Sequence, residues 1–542
     1  MKRVGRRYRT GRADESYDLI VIGSGIGGLA LAALMARLGR RVCVLEQHYT
    51  AGGFTHSYER EGFEWDVGVH YIGEVHKPHS TLRRLFDVVS DGQLKWAPMD
   101  PVYDRIVIGN RRVDFTAGRE AWIDSLVSHF PEEEEAIREY VRLIDETARA
   151  ARKFFAGQAM PRLLGRAYRA ARPWLVPRQC FQSVREVLEG LTANQELIGV
   201  LTGQWGDYGM VPAEASFLMH ANVVKHYFGG GSYPVGGSWR IADTIAPVIR
   251  QAGGEVFTYA KVAQIVMDGR RAVGVRMANG DILKARQVVS AAGARVTFEQ
   301  LLPAEVRERL GYDRKLQAVK PSGAHLCLYA GFKGSAEALG LPRTNLWIYP
   351  GPNHEENVAR FREDPAAPFP LLYISFPSAK DPAWAETHPD TSTVEVLTLA
   401  PWDWFEKWQG TPWGQRGKDY EALKAGFQMR LLEALYRELP QLSEAHVYSE
   451  LSTPLSTAWF GNYDRGEIYG LDHHVDRFRQ DWLHPITPIP GLALTGQDVV
   501  TAGVGGALMG SLMTAMALLG REAGQVTRLL QDWQSPEQIH GT

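Results

Sequence analysis

The chain has 542 residues, 45% of them apolar and 23% charged, a globular composition long enough for more than one core. Lys plus Arg (60) nearly balances Asp plus Glu (62), so no global charge marks a nucleic-acid binder. Cys43, Cys180 and Cys327 lie far apart without a CxxC pair, which argues against a disulfide framework or zinc site and fits a reducing, cytoplasmic compartment.

At the N-terminus, Arg6-Arg7 resembles an export signal, but polar residues follow where an apolar region is required. Residues 1–14 are therefore expected to form a flexible basic tail. Next comes YDLIVI (residues 17–22), an apolar, β-branched run of the kind that forms a buried parallel strand. Gly23-Ser24-Gly25-Ile26-Gly27-Gly28 interrupts it and leads into an Ala/Leu-rich helix ended by Gly39, then a second strand, RVCVLE (residues 41–46). This is G-x-G-x-x-G in strand–turn–helix context. The first glycine allows the tight turn and the second lets backbone N–H groups approach a pyrophosphate. The third lets helix and strand pack closely, and the helix N-terminus offsets the phosphate charge. Glu46, with Gln47 beside it, stands where a carboxylate would take ribose hydroxyls.

Between Thr147 and Arg185 there is no acidic residue, yet nine basic ones, from Arg149 to Arg185, are present. Leu163, Leu164, Ala167, Tyr168 and Ala171 recur at helical spacing, with Trp174-Leu175 beyond and Arg162, Arg166, Arg169 and Arg172 on the other side. Such a helix suits a membrane interface, so peripheral contact through residues 149–185 is expected; the alternative is a surface helix whose apolar stripe packs on the core. In Tyr233-Pro234-Val235-Gly236-Gly237, two glycines before a helix would let backbone lie against a flat ring. Residues 287–292 read as another buried strand, and so do residues 492–495, which lead into Gly496-Gln497-Asp498. Asp498 suits a hydroxyl of a ribitol chain. Gly503-Val504-Gly505-Gly506 opens a helix whose first amides would face the electron-rich edge of a flavin. Both chain ends meeting one extended ligand is what FAD needs and NAD does not. Residues 507–519 are apolar but short and interrupted by Gly510, so a buried helix is expected rather than a membrane span.

The segments 21–48, 63–73, 230–254, 465–474 and 494–510 together resemble the phytoene desaturase and carotenoid isomerase superfamily, most of all its retinol saturase branch. Gly52-Gly53 resembles an additional turn that passes the flavin in this group. The resemblance implies FAD binding at Gly23, Gly25, Gly28, Glu46, Gly52, Gly53 and Asp498, with Ser24, Gly27, Gln47, Gly496 and Gly505 alongside, and a backbone contact to adenine around Val262. In Asp66-x-Gly68-x-His70-Tyr71, His70 and Tyr71 stand where desaturases carry proline and a small hydroxyl residue. His70 and, in RGEIYGLDHH (residues 465–474), Tyr469 are the candidate catalytic residues. No metal is expected, since His473-His474 and the pair His76 and His79 lack a ligand set with suitable spacing.

The fold implied is α/β (α+β overall), with a Rossmann-type FAD-binding domain at residues 15–75, 231–300 and 461–542. A mixed-sheet-plus-helices substrate domain, residues 76–230 and 301–460, interrupts it. The implied function is an FAD-dependent oxidoreductase acting on carbon–carbon double bonds of a hydrophobic polyene or isoprenoid lipid, peripheral at the membrane. The alternatives are a redox-neutral polyene isomerase, a prenyl- or lipid-binding protein on the same fold, and an amine oxidase. No second G-x-G-x-x-G in strand context supplies a docked nicotinamide, so the electron partner stays unassigned.

Overall fold

The computed structural model describes residues 2–14 and 16–533. Its first layer is an eight-stranded sheet ordered Arg6–Arg7, Glu255–Thr258, Val42–Leu45, Ser16–Ile22, Ile282–Ser290, Arg271–Met277 and Val262–Asp268, with Leu492–Leu494 beside the end of Ile282–Ser290. The strands from Arg6–Arg7 through Ile282–Ser290, and Leu492–Leu494, run parallel. Val42–Leu45 is buried at every position and Ser16–Ile22 at all but two, as a sheet covered on both faces requires. The helix Ile26–Arg37 covers one face. Its Ala and Leu side chains are buried all round because the sheet lies on one side and the helices Arg240–Gln251 and Gly503–Leu519 on the other.

A seven-stranded mixed sheet forms the second layer, ordered His446–Ser452, Ala324–Lys333, Thr391–Ala400, Leu372–Ser375, Asn345–Tyr349, Val102–Ile108 and Arg111–Thr116. Alternation along its long central strands separates the faces. Leu326, Leu328, Ala330 and Phe332 pack with Phe427, Leu431 and Leu435 of the helix Lys418–Glu438. The intervening His325 and Tyr329, with Leu397 and Leu399 of the neighbouring strand, face a cavity between the layers. A helical lobe built on Arg119–His129, Glu134–Phe155 and Phe217–Tyr227 closes the far end.

Three expectations need correction. The expected flexible tail is ordered across its described residues 2–14: Arg6–Arg7 extend the first sheet, Val4 and Tyr8 are buried, and the Tyr8 hydroxyl donates to Asp281 at 2.7 Å. The break drawn after residue 75 falls too early, because the helix Thr81–Ser90 packs on Arg240–Gln251 within the first core. The hairpin of Ser57–Arg60 and Phe63–Asp66 instead leans on the second sheet, with Trp65 among Cys327 and Tyr329. Residues 534–542, expected in the first domain, lie outside the described residues.

The apolar stretch Gly503–Glu522 is long enough to cross a membrane by length and composition. In the fold its helix packs on Ile26–Arg37, and Gly510 sits so close to Gly496 that a Cβ would lie 2.4 Å from the Gly496 carbonyl oxygen. It is a core helix.

Candidate active site

A cavity of about 910 Å³ runs between the two layers, near the upper end of the range of about 300–1,000 Å³ for small-molecule sites. Its first stretch is the glycine turn. Gly23 has φ +96°, a left-handed conformation, and its N–H donates to Leu45 O at 2.9 Å. A Cβ on Gly28 would lie 2.2 Å from Gly23 O, and one on Gly27 would lie 2.6 Å from Gly496 Cα, so these glycines are required by packing. Gly25 differs. A Cβ there would meet nothing within 4 Å, because it would project into the cavity at the N-terminus of Ile26–Arg37. A helix N-terminus with open space before it is the arrangement that can hold a phosphate group.

Gly52 and Gly53 lie against this turn. Gly25 and Gly52 form a parallel bridge, a Cβ on Gly53 would sit 2.9 Å from Gly25 Cα, and Gly52 N–H donates to Ser24 Oγ at 3.1 Å. Glu46 lines the wall and accepts from Ser24 N–H at 2.9 Å, Ser24 Oγ at 2.7 Å and His48 N–H at 2.8 Å. It therefore clamps the glycine turn as well as facing the ligand space. Gln47, Val262 and Gly496 also line the cavity, Gly496 with φ +93° and open space where a Cβ would project.

Three expected contacts lie elsewhere. Asp498 stands off the cavity: its carboxylate accepts from Ala294 N–H at 2.7 Å and Leu471 N–H at 3.0 Å, tying together loops from three parts of the chain. Gly505 also faces away, since a Cβ on it would approach Leu82 at 3.5 Å and His226 at 3.8 Å. Gly503, Val504 and Ala507 present the start of that helix to the cavity instead. The Gly236-Gly237 turn lies apart from the cavity too, held by Gly236 N–H donating to Asp381 at 2.9 Å. Among the histidines weighed against metal binding, His473 Nε2 accepts from Ala502 N–H at 2.9 Å, and His474 Nδ1 lies 2.8 Å from Asp472.

The opposite stretch is apolar and aromatic, with Trp347, Leu371, Tyr373, Leu397 and Leu399 in its wall. His70 and Tyr469 both reach it. The Tyr469 hydroxyl donates to Gly206 O at 3.2 Å, and His70 Nδ1 stands 2.9 Å from Glu395 Oε2. Burial, reinforced by the Lys380 charge, pushes His70 down to about 3, so near pH 7 it is a neutral imidazole. Burial also drives Glu395 up to about 8 and Asp66 up to about 7, the latter with help from the Glu395 charge, and brings Lys380 down to about 7. Lys380 Nζ donates to His70 O at 3.0 Å, Ser375 Oγ at 2.8 Å and Asn345 Oδ1, so it fixes the His70 backbone from behind. Glu395, Lys380, Asp207 and Asp104 carry no motif. They come from four elements that only the folded chain brings together: Asp104 and Glu395 lie inside the strands Val102–Ile108 and Thr391–Ala400, Lys380 ends the short helix Pro377–Lys380, and Asp207 ends the turn Trp205–Asp207.

Residues 26–519 match the family described as flavin containing amine oxidoreductase. An all-trans-retinol 13,14-reductase of Danio rerio is 38% identical over 533 residues, covering 95% of this chain and 88% of that protein. A chloroplastic prolycopene isomerase of Arabidopsis thaliana is 27% identical over 504 residues, covering 89% of this chain and 79% of its own length. The solved cyclohexylamine oxidase of Brevibacterium oxydans shares the fold with a TM-score of 0.59 at 18% identity, over 95% of this chain and 99% of that one. The family match makes the cofactor FAD, and Gly25, Glu46 and Gly503 all line the one cavity described above. The chain belongs to the flavin-containing amine oxidoreductase family.

Proposed function

We propose that this chain is an FAD-dependent oxidoreductase that reduces a carbon–carbon double bond in a hydrophobic polyene, with an all-trans-retinoid as the first substrate to test. One observation carries this reading: a single cavity joins the phosphate cradle at Gly25 to a long stretch walled by Trp347, Leu371, Tyr373, Leu397 and Leu399. A conjugated hydrocarbon chain fills such a wall by burial alone, at about 25 cal/mol per Å². The full-length likeness to a retinol reductase supports the same substrate class.

FAD, when bound, supplies hydride chemistry. The cofactor contacts we assign are Gly23, Ser24, Gly25, Gly27, Gly28, Glu46, Gln47, Gly52, Gly53, Val262 and Gly496. Of these, Gly27 and Gly28 act by letting backbone pack closely. Asp498 and Gly505 hold the loops around the cofactor rather than touching it. The aromatic wall excludes water. His70 and Tyr469 position the polyene, the first as a neutral imidazole whose backbone carbonyl is held by Lys380, the second through a hydroxyl held on Gly206.

We further propose that the helix Arg162–Leu175 docks on an anionic lipid surface, from which a water-insoluble substrate is drawn. Its apolar side chains point outward: Leu163 is 80% exposed, Leu164 63% and Trp174 83%. The core-packing alternative has no support here, since Gly165, Arg169 and Arg172 are the residues turned inward. Arg169 donates to Asp481 O at 2.8 Å and Arg172 to Phe478 O at 2.6 Å, so these two arginines anchor the helix and do not face headgroups. Arg149, Arg152, Lys153, Arg162 and Arg178 stay exposed for that purpose.

Product analysis tests the function. Photoreduced enzyme incubated without oxygen with retinol, lycopene, phytoene and an unsaturated fatty acid is expected to shorten the conjugation of a polyene and add two hydrogens. Geometric isomers of unchanged mass would instead establish an isomerase.

A further inference from the structure

Three acidic groups converge beside the apolar stretch, each from a different part of the chain. Asp207 ends the short turn Trp205–Asp207, Tyr71 follows the strand Phe63–Asp66, and Asp104 lies in the strand Val102–Ile108. Tyr71 OH stands 2.8 Å from Asp104 Oδ2 and 3.1 Å from Asp207 Oδ2. A phenol has one proton and cannot donate to both. Asp104 is fully buried and also accepts from Gln204 Nε2 at 2.7 Å and Asn345 Nδ2 at 2.9 Å, an environment arranged for a carboxylate. Tyr71 therefore donates to Asp104, and the contact to Asp207 is satisfied when Asp207 carries a proton and donates to the phenol oxygen. Of the two carboxyls, Asp207 is the one that reaches the cavity, beside Tyr469, Trp347 and Tyr373.

We propose that Asp207 is the catalytic acid that protonates the substrate carbon, with Tyr71 and Asp104 as positioning residues that keep it neutral and aimed. This rests on the double-bond reduction proposed above. In that reaction one carbon receives hydride from the reduced flavin, which is thereby oxidised. The Asp207 O–H bond breaks, its proton forms the C–H bond at the neighbouring carbon, and the π bond is consumed. Asp207 is left as a carboxylate and recovers its proton from water once product departs. Burial first, and then the Asp104 charge, push the Asp207 carboxyl well above the usual carboxylate range, the direction that the single phenol proton already requires. The other wall groups are poorer sources. His70 is unprotonated near pH 7, and burial raises the Tyr469 hydroxyl above its ordinary value.

The geometry of the triad is braced. Tyr71 stacks on Tyr227 with ring centroids 4.1 Å apart and an interplanar angle of 11°. Lys380, bonded to Asn345, places its charge 5.8 Å from the Tyr71 ring centroid. Around Asp207 the titratable groups are Asp104 and the phenols Tyr71, Tyr103, Tyr208, Tyr227, Tyr349, Tyr373 and Tyr469; burial raises every one of these phenols above its ordinary value and raises Asp104 as well.

The test is anaerobic reoxidation of the photoreduced holoenzyme by all-trans-retinol, in H2O and in D2O. Asp207→Asn is expected to slow reoxidation by about 10²-fold or more while retinol affinity and FAD content hold. Asp207→Glu recovers part of the rate, and product formed in D2O carries one solvent deuterium. Tyr71→Phe keeps the ring stack and serves if Asp207→Asn does not fold. Without the phenol, the pH above which the rate falls should move, whereas a merely structural role would lower the rate equally at every pH. Native rate in Asp207→Asn, or an unchanged pH profile in Tyr71→Phe, overturns the assignment. Failure of the native enzyme to reduce retinol or any other polyene would instead remove the reduction reading, and this inference with it.

Discussion

In the cofactor site proposed here, Gly25 is the residue on which binding turns most sharply. Its neighbours Gly27 and Gly28 would collide with protein backbone if they carried a Cβ, whereas Gly25 would collide only with what occupies the cradle. Gly25→Val should therefore fold with near-native melting behaviour once FAD is removed from both proteins, yet retain little or no flavin. Absorbance of the desalted protein near the flavin bands checks this, and full FAD occupancy would show that the turn is not the site. Glu395 permits a second prediction, on pH. Burial lifts its folded value to about 8 from an ordinary value of 4.5, so the neutral form is favoured in the fold. Stability from this group is complete below the unfolded value and is lost as pH rises through the folded one. Glu395→Gln, which can keep the 2.9 Å acceptor contact to Asp66 N–H, lacks that loss. Its melting temperature relative to the native chain should rise between about pH 5 and pH 8, with Lys380 and Asp66 as the charged groups facing the site. A parallel pair of pH curves would contradict the assignment. At this scale the glycine turn was legible because each glycine answers a steric demand of the strand–turn–helix. Asp498 was not, since its spacing after a strand suits a ligand contact and a loop clamp equally, and only the folded position of Ala294 and Leu471 decides.

Among the elements, the helix Arg162–Leu175 follows its expected pattern on the exposed apolar side and departs from it at Arg169 and Arg172, which turn inward. The periodicity locates an amphipathic helix correctly but cannot say which face turns inward. Gly165 decides it, because the helix crosses residue 157 so closely that a Cβ on Gly165 would lie 2.4 Å from Gly157 O. That contact turns Arg169 and Arg172 toward the body of the protein and Leu163, Leu164 and Trp174 out of it. Replacing Leu163, Leu164 and Trp174 by Ser should abolish cosedimentation with vesicles containing anionic lipid, without changing FAD content. Replacing Arg149, Arg152, Lys153 and Arg162 by Gln should make the residual binding weaker and less salt-dependent, each lost charge removing about 1 kcal/mol at the surface. Native binding that is absent at both low and high salt would contradict lipid docking. The edge strand Arg6–Arg7 was hidden for a related reason: it is short and charged, and it forms because Glu255–Thr258 leaves an open edge beside it.

Over the whole molecule, the division of labour follows from a nucleotide-binding sheet assembled from the start, middle and end of the chain. Four of the parallel strands were readable from buried apolar runs at residues 17–22, 41–46, 287–292 and 492–495, while their order in the sheet emerges only in the fold. The second sheet was not readable strand by strand, because its strands alternate between a helix-covered face and a cavity face and pair over long separations. His446–Ser452 lies against Ala324–Lys333, and Asn345–Tyr349 against Val102–Ile108. The same separation hides Asp104, Asp207, Lys380 and Glu395, which are isolated polar residues until the sheets close on one another. One cavity runs past both the glycine turn and the apolar stretch, so in the function proposed above cofactor and substrate meet without a moving carrier. The most direct measurement is therefore a single turnover: photoreduced enzyme mixed anaerobically with one equivalent of all-trans-retinol, with flavin absorbance and product mass followed together. The account predicts that flavin reoxidises as retinol gains two hydrogens, one for one. Flavin that stays reduced, or that reoxidises while retinol keeps its mass, would contradict it.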